Sequence, residues 1–576
     1  MSANNNENKI LPSYFKFEIT TPDETDLVLV SLTDSRTNFV VRTALPNSGK
    51  QVASIMAFAG ARYSRSDLGA INLFKEIKDA QKSANEKLAT IFRQYGHASV
   101  ADMANLFAYV ENVPQIVAWK FFYSTSLGGG QERSTRYQKF DNLFVDDLAN
   151  YLPLEKRQEI PENPDYESLN IEFKSVLDTA LDKYNLWVKK LTAEYTNIYK
   201  INPESKGEIN ALNARVFDSS RYFLPSGFSN RTSLAWITSA REWARIIGIF
   251  KTESNHELVY LAEQLEWLFA PDNVVASEIG YVPEASELIR YTSRDETRAN
   301  SLTQLDSYLK QTGIINSLLE NSKNSNKSHK NPIEYRDLEV KFYDNSYTAT
   351  EKALAQNIIT LYPNLSFKDL FQVIQSLTNS QKIEISRLLV SDYTQHKQMP
   401  TQFQTNNYTF ELNQSIAEAR DLNRHRAWGR FTPLLEIQTN YDDLLAEGYH
   451  LPDYLTQVEG NQTLDNLRVD FEKDLQDYYS KFQILWAKLE GTLQIPDYLL
   501  IQFLPFAHSV RTVMHGSIKE LSHLSKIRST CGCHINVRRI MFMMNKLACD
   551  SDFLLEGIRL KNAPNPARRE EFVDRS

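Results

Sequence analysis

Phe223-Leu224-Pro225 recurs downstream as Phe503-Leu504-Pro505, and the surroundings of the two copies decide the fold. Before the first copy, residues 168–199 place Leu169, Phe173, Val176, Leu177, Leu181, Tyr184 and Leu191 at helical spacing. After it, the pattern predicts a helix over 233–250. After the second copy, a matching helix is predicted over 509–528. Further upstream, 73–95 reads as an amphipathic helix with Phe74, Ile77, Ala80, Ala84, Leu88, Ile91 and Phe92 on one face, closed by Gly96. Residues 105–110 read as a strand and 113–123 as an apolar helix. In the second half 407–412 is the matching strand, and Ser415-Ile416-Ala417-Glu418 is a capping box opening a helix to about His425. Both halves therefore run helix, strand, helix, motif, long helix, Pro, helix. That is an α+β fold, helix-rich and present in two tandem copies.

The segment 322–331 is polar, lacks any large apolar residue and ends at Pro332. Such a stretch adds nothing to a core. It divides the chain into 1–320, a linker at 321–332, and 333–576. The C-terminal stretch 564–576 is charged and predicted to fray.

Composition narrows the function classes. The chain has 576 residues, 42% hydrophobic and 24% charged, with 28 Tyr and 30 Phe, which is ordinary for a globular protein with a large core. A net charge of −8 argues against a nucleic-acid-binding surface, which is normally basic. The polar N-terminus has no signal-peptide core, and no apolar run is long enough to span a membrane. Three cysteines, Cys531, Cys533 and Cys549, suit a reducing compartment, with the cytoplasm as the default. Cys531-Gly532-Cys533-His534 has metal-ligand residue types but lacks the second pair a zinc site needs. It reads as structural thiols, and no metal site is expected.

Two stretches carry chemistry. One is Gly96-His97 followed by Gln131-Glu132-Arg133-Ser134-Thr135-Arg136-Tyr137. The other is Asp421-Leu422-Asn423-Arg424-His425-Arg426. Arginines clustered at a helix end suit a planar, bidentate anion such as phosphate, although a basic helix end is also favoured by the helix dipole alone. His425 stands between two guanidinium groups, which disfavour its protonation. Gly128-Gly129-Gly130 reads as a flexible loop rather than a phosphate cradle, because no strand–loop–helix frame surrounds it.

These stretches resemble the flavin-dependent thymidylate synthase family. That family carries Arg-His-Arg, a spacer and Ser-x-Arg-Tyr, with Gly-His upstream and Leu-Pro downstream, followed by a Trp-containing helix with Asn-Ala-Arg. The first half matches with Gly96-His97, Glu132, Ser134-Thr135-Arg136-Tyr137, Arg221, Leu224-Pro225 and Trp236 to Arg241. The second half matches with His396, Arg424-His425-Arg426, Leu504-Pro505 and Arg528. The departures of the two halves are largely complementary. Ser124-Thr125-Ser126 replace Arg-His-Arg in the first half; Ser239 replaces the Asn there, and the corresponding part of the second half, Ser517 and Lys519, has drifted further. Leu434 replaces the Ser in the second, Ile501 stands opposite Arg221, and Gly248 stands opposite Arg528.

The resemblance implies reductive methylation of dUMP to dTMP, with FAD as cofactor and methylenetetrahydrofolate and NADPH as co-substrates. It implies Ser134 and Arg221 as catalytic residues. His97, Arg241, Arg424, His425 and Arg426 would lie on the flavin, and Glu132, Ser134, Arg136, Arg221 and Arg528 on the uridylate. Family sites form between subunits, so two depleted halves would assemble one hybrid site. A homo-oligomer, a dimer of two-copy chains, would be the working form. The alternatives are a non-catalytic flavin- or nucleotide-binding homologue and a structural partner of an active one.

Overall fold

The structure is a computed structural model. It describes residues 10–63, 66–67, 69–78, 98–125, 127–134, 145–228, 232–294, 311, 333–343, 348–361, 366–390, 401–404, 408–435, 447–458 and 460–574. His97, Arg136, Tyr137, His396, the linker at 321–332 and most of the 73–95 helix lie outside the described residues.

The first half contains β1 (Phe15–Thr20), β2 (Leu27–Asp34), β3 (Phe39–Pro46), α1 (Val52–Tyr63), α2 (Ala70–Lys78), β4 (Asn105–Val113), α3 (Gln115–Ser124) and β5 (Gly129–Glu132). It continues with α4 (Tyr166–Ile198), α5 (Lys206–Ser220), β6 (Thr232–Ser239), α6 (Ala240–Phe250) and α7 (His256–Phe269). The second half contains β7 (Glu339–Phe342), α8 (Thr348–Leu361), β8 (Tyr408–Ser415), α9 (Ile416–Leu422), β9 (Gly429–Phe431), α10 (Gln462–Leu493), β10 (Ser509–Gly516), α11 (Ile518–Arg528) and α12 (Ile535–Ser551). The first sheet runs β1-β2-β3-β4-β6-β5 and the second β7-β8-β10-β9. Both are antiparallel. The last four strands of the first sheet repeat the order of the second. The fold is thus α+β, and its copies are related strand by strand.

Two predicted helices begin too early. Residues 232–239 and 509–516 are strands, and α6 and α11 start only afterwards. In β6 the side chains alternate, with Leu234, Trp236 and Thr238 buried and Ile237 exposed, which is strand periodicity. The switch to helix falls at Ser239, whose hydroxyl accepts from the Glu242 amide at 3.3 Å. In the second copy it falls at Ser517, which forms a capping box with Glu520. The Trp236 of the motif is therefore a strand residue. Two of the three glycines likewise lie in a strand: Gly129 and Gly130 pair with Ile237 and Trp236. A Cβ on Gly130 would sit 2.1 Å from the Trp236 ring, so only glycine lets this edge strand lie flat on the indole. The capping box at Ser415 is present as predicted, and α9 stops at Leu422, ahead of the three basic residues.

The repeated tripeptides meet each other. Pro225 and Pro505 form an antiparallel bridge. The Ser226 amide donates to the Leu504 carbonyl at 3.2 Å, and the Phe506 amide to the Leu224 carbonyl at 3.0 Å. Beside this crossing the two long helices α4 and α10 pack together. Trp187 meets Phe471 edge-on at 4.7 Å and donates its indole N–H to Asp474 at 2.9 Å, while Phe173 of α4 meets Phe503 at 5.1 Å. One apolar core runs through both halves. Each fully buried aromatic contributes ~1.5–3 kcal/mol, so the halves are held mainly by this shared core.

The C-terminal stretch does not fray over its described part. Phe572 is fully buried and stacks on Tyr199 of the first half at 3.7 Å. Its apolar ring and the short helix around it (Arg569–Val573) outweigh the charge that made the segment look solvated. Among the described residues no helix is long and apolar enough to cross a membrane.

Candidate functional site

At the joint, β5 of the first half faces α9 of the second. Glu132 ends β5, and its buried carboxylate takes Arg420 of α9 on one side. Arg420 Nε donates to Glu132 Oε1 at 3.0 Å, with a second, closer contact from Nη2. On the other side Arg424 Nη2 donates to Oε2 at 2.9 Å. Arg420 is almost fully buried, while Arg424 keeps about a third of its side chain open (35%). The carboxylate thus locks one arginine and aims the next.

Arg221 follows the last turn of α5. It is fully buried and reaches Asp421 of α9 at 3.1 Å and Asp218 at 3.7 Å. Arg528 closes α11 and donates its Nε to His425 Nε2 at 2.6 Å. With Nε2 accepting, His425 carries its proton on Nδ1 and is neutral. Burial pushes its pKa well below the ordinary value, and the charges of Arg528, His523, Arg430 and Arg424 push the same way. The neutral histidine inferred from its arginine neighbours is present, but burial is the larger cause.

Arg426 lies over the Trp236 indole of the first half at 4.7 Å. Its Nη1 and the Nε of Arg424 are buried without a hydrogen-bond partner among the described residues. Buried donors of this kind are costly unless met, and an anionic or carbonyl-rich ligand would meet them. That donor set fits a flavin or a nucleotide phosphate.

Behind the cluster a hydrogen-bonded hub ties the halves. Glu418 accepts from the Tyr222 hydroxyl and from the Ser415 amide (2.9 Å), and His534 Nδ1 lies 3.5 Å away. Burial raises the pKa of Glu418. Asn536 Nδ2 donates to the Tyr222 hydroxyl at 3.1 Å.

Of the residues singled out in the sequence, Glu132, Arg424, His425, Arg426, Arg221 and Arg528 surround α9 and its end. Ser134 stands just past β5, two residues beyond Glu132. Arg241 lies apart from this cluster. It pairs with Asp102 at 3.0 Å on the rim of a cleft of about 1020 Å³ that also takes in Gly128, Glu242, Arg245 and Arg290. Glu242 is a carboxylate acting on Arg426, so cleft and cluster adjoin. Cys531 and Cys533 carry free thiols. Sequence reading missed Arg420 and Arg430 as part of the cluster. Arg420 sits among apolar positions of a short helix, and that was the available signal.

A family model described as thymidylate synthase complementing protein matches residues 45–269 and again 345–550. The chain belongs to the thymidylate synthase complementing protein family. Within that family's fold it carries two copies, each contributing part of the cluster at the joint. The UPF0159 protein Ta1429 of Thermoplasma acidophilum is 22% identical over 515 residues, covering 84% of this chain and 90% of its own length. A UPF0159 protein of Chlamydia pneumoniae is 22% identical over 477 residues, covering 80% and 77%. Both matches are too long to fit within one half, so they span the two copies of the thymidylate synthase complementing domain. Among solved structures, the UMP/dUMP methylase PolB of Streptomyces cacaoi bound with 5-Br UMP aligns at 16% identity, covering 40% of this chain and 96% of its own, with a TM-score of 0.30. Its complex with 5-Br dUMP aligns at 14% identity, covering 40% and 100%, with a TM-score of 0.31. Likenesses this weak support no inference about this chain.

Proposed function

We propose that the cluster at the joint binds FAD and a uridylate nucleotide, and that the chain catalyses reductive methylation of dUMP to dTMP. Methylenetetrahydrofolate is the carbon donor and NADPH the reductant. Family membership supports the reaction class. The observation that carries the reading is the Glu132–Arg420–Arg424 link, in which a carboxylate of one half aims an arginine of the other. The FAD, when bound, supplies the hydride chemistry. The chain's own groups bind and orient. Arg424 and Arg426 offer unmet donors to the flavin or nucleotide, and His425 is held neutral by burial and by Arg528. Ser134 and Arg221 are the catalytic candidates, and in this reading Arg221 would offset negative charge developing on the pyrimidine. Glu132, Arg136 and Arg528 complete the uridylate contacts, and His97 and Arg241 those of the flavin. The same reading takes 1–320 and 333–576 as the two copies joined by 321–332, and a dimer of such chains in the cytoplasm as the working assembly.

One observation favours a second reading, a flavin- or nucleotide-binding protein without turnover. Arg221 is fully buried and faces Asp421 and Asp218, so a substrate anion would have to displace a carboxylate.

An absorbance spectrum of the purified protein before and after denaturation, with and without added FAD, tests the proposal. Flavin near one per chain, followed by dUMP-dependent oxidation of the reduced flavin, supports the enzyme. Flavin without turnover supports the second reading. No flavin even after adding FAD sinks the enzyme and leaves a fold used for nucleotide binding or assembly. Arg136→Ala in the first half and Arg424→Ala in the second should each weaken binding if the site is shared.

A further inference from the structure

The C-terminal segment of the second half is bound to the first half by an unusual anchor. Arg215 of α5 is buried, and its guanidinium spends its donors on backbone carbonyls. It donates to Phe572 at 3.3 Å, to Asp574 at 3.0 Å and to Cys533 at 3.4 Å, with a closer contact to Cys531. Around it the Tyr199 hydroxyl donates to the Pro566 carbonyl at 2.9 Å. Arg569 pairs with Glu208 at 2.8 Å and donates to the Tyr199 carbonyl at 2.9 Å. The Phe572 ring closes the joint, flat on Tyr199 and edge-on to Tyr195 at 5.5 Å and Tyr454 at 5.4 Å.

Arg215 holds three pieces of the second half at once: the tail, the Cys531–Cys533 turn, and through that turn the start of α12, where His534 faces Glu418. It also sits one turn before Asp218 on the same helix face, and Asp218 leads directly to Arg221. A guanidinium suits this because its planar fork supplies several fixed donors.

We propose that Arg215 is a positioning residue and the tail 565–574 a clasp, which together fix the Arg221 turn against α9. The inference rests on the proposed function only for its consequence at the ligand. The clasp itself is independent of that reading. Without the tail, Arg215 keeps only its contacts to the Cys531–Cys533 turn. The Arg221–Asp421 contact then loosens while the two sheets stay folded.

The test compares the full chain with Phe572→Ala, with Arg215→Lys and with a chain ending at Pro564. Hydrogen exchange is read over 215–226 and over β2–β4, alongside FAD and dUMP affinity. The expected result is faster exchange over 215–226 with β2–β4 still protected, and binding at least tenfold weaker. Arg215→Lys, which keeps the charge but loses the fork, should lie between the full chain and the truncated one. Unchanged protection over 215–226 overturns the proposal, whereas lost protection there with affinity intact supports the clasp and overturns its consequence at the ligand. Lost protection in both regions also overturns it, because the tail would then be holding the whole fold. If the full chain binds neither ligand, the functional reading fails by itself, and the exchange comparison still decides whether the tail holds the Arg221 turn.

Discussion

The helices α3 and α9 occupy matching places in two copies of one fold, and they have diverged in opposite directions. Each starts against the Leu-Pro crossing: the Ile116 amide donates to the Ser226 carbonyl at 2.9 Å, and the Ala417 amide to the Phe506 carbonyl at 3.2 Å. From there α3 runs into aromatic core. Phe121 and Phe122 pack edge-on against Trp236 at 5.4 and 5.2 Å. Its one charge, Lys120, is buried against Glu253 at 3.0 Å and also reaches the Leu435 carbonyl. α9 instead carries Arg420 and Asp421 and delivers Arg424, His425 and Arg426. The duplicated fold has filled one helix end with side chains and left the other polar, where Arg420 and Asp421 meet Glu132 and Arg221 of the opposite half. A fused pair can diverge this way because neither half has to keep a complete site.

The contrast can be broken by removing charges at each end. Glu132→Ala strands the buried Arg420 and should cost about 3–5 kcal/mol, the usual penalty for halving a buried ion pair. A denaturant midpoint measures it, and ligand binding should be lost as well. Lys120→Met at the other end should destabilise the fold too, while leaving the ligand affinity of the surviving folded protein unchanged. Lost affinity there would mean that both ends bind.

A smaller effect separates the two edge strands. Gly130→Ala drives a methyl into Trp236 and should cost about 1–3 kcal/mol by overpacking, visible as a lower melting temperature and a disturbed indole signal. Gly429→Ala meets the His515 imidazole at 2.8 Å, a side chain on an exposed strand position that can move, so its cost should be less.

Arg424→Ala should change stability by under ~1 kcal/mol, since a partly exposed ion pair contributes little. It should nonetheless weaken FAD or dUMP binding by roughly tenfold or more, because a charge-assisted hydrogen bond contributes ~1.5–3 kcal/mol. A titration showing equal affinity would remove Arg424 from the site.

A further effect is in pH. His425 has a lowered pKa when folded, and burial lowers His256 and His450 to about 3. Below the unfolded value of ~6.5 the unfolded chain binds protons that the folded chain refuses, so stability falls as pH drops through that value. For His256 and His450 the loss continues down to about 3. His425→Gln should flatten part of this slope in melts taken across pH 4–7. An unchanged slope would mean that His425 is protonated in the fold.

Much of this was legible along the chain. The long helix at 168–199, the capping box at Ser415 and the repeat around Leu-Pro all rest on local spacing, and they stand. The strand at 232–239 was hidden because it runs into a helix with no glycine or proline between, so apolar residues of both periods merge into one run; at 509–516 only the single Gly516 marks the break. The docked tail was hidden because Arg569, Glu570 and Glu571 mask a single decisive Phe572. At the site, the arginines were visible as a basic helix end. The pairing of Glu132 with Arg420 was not, because it depends on how two distant halves cross.

The central claim is one shared site per chain, built at the α9 end and filled in at the α3 end. Equilibrium dialysis of labelled dUMP against the full chain in the presence of FAD tests it most directly. The account predicts saturation at one nucleotide per chain. Saturation at two would show that the matching ends are equivalent, and no binding would show that the arginine cluster holds only its own carboxylates; either result contradicts the account.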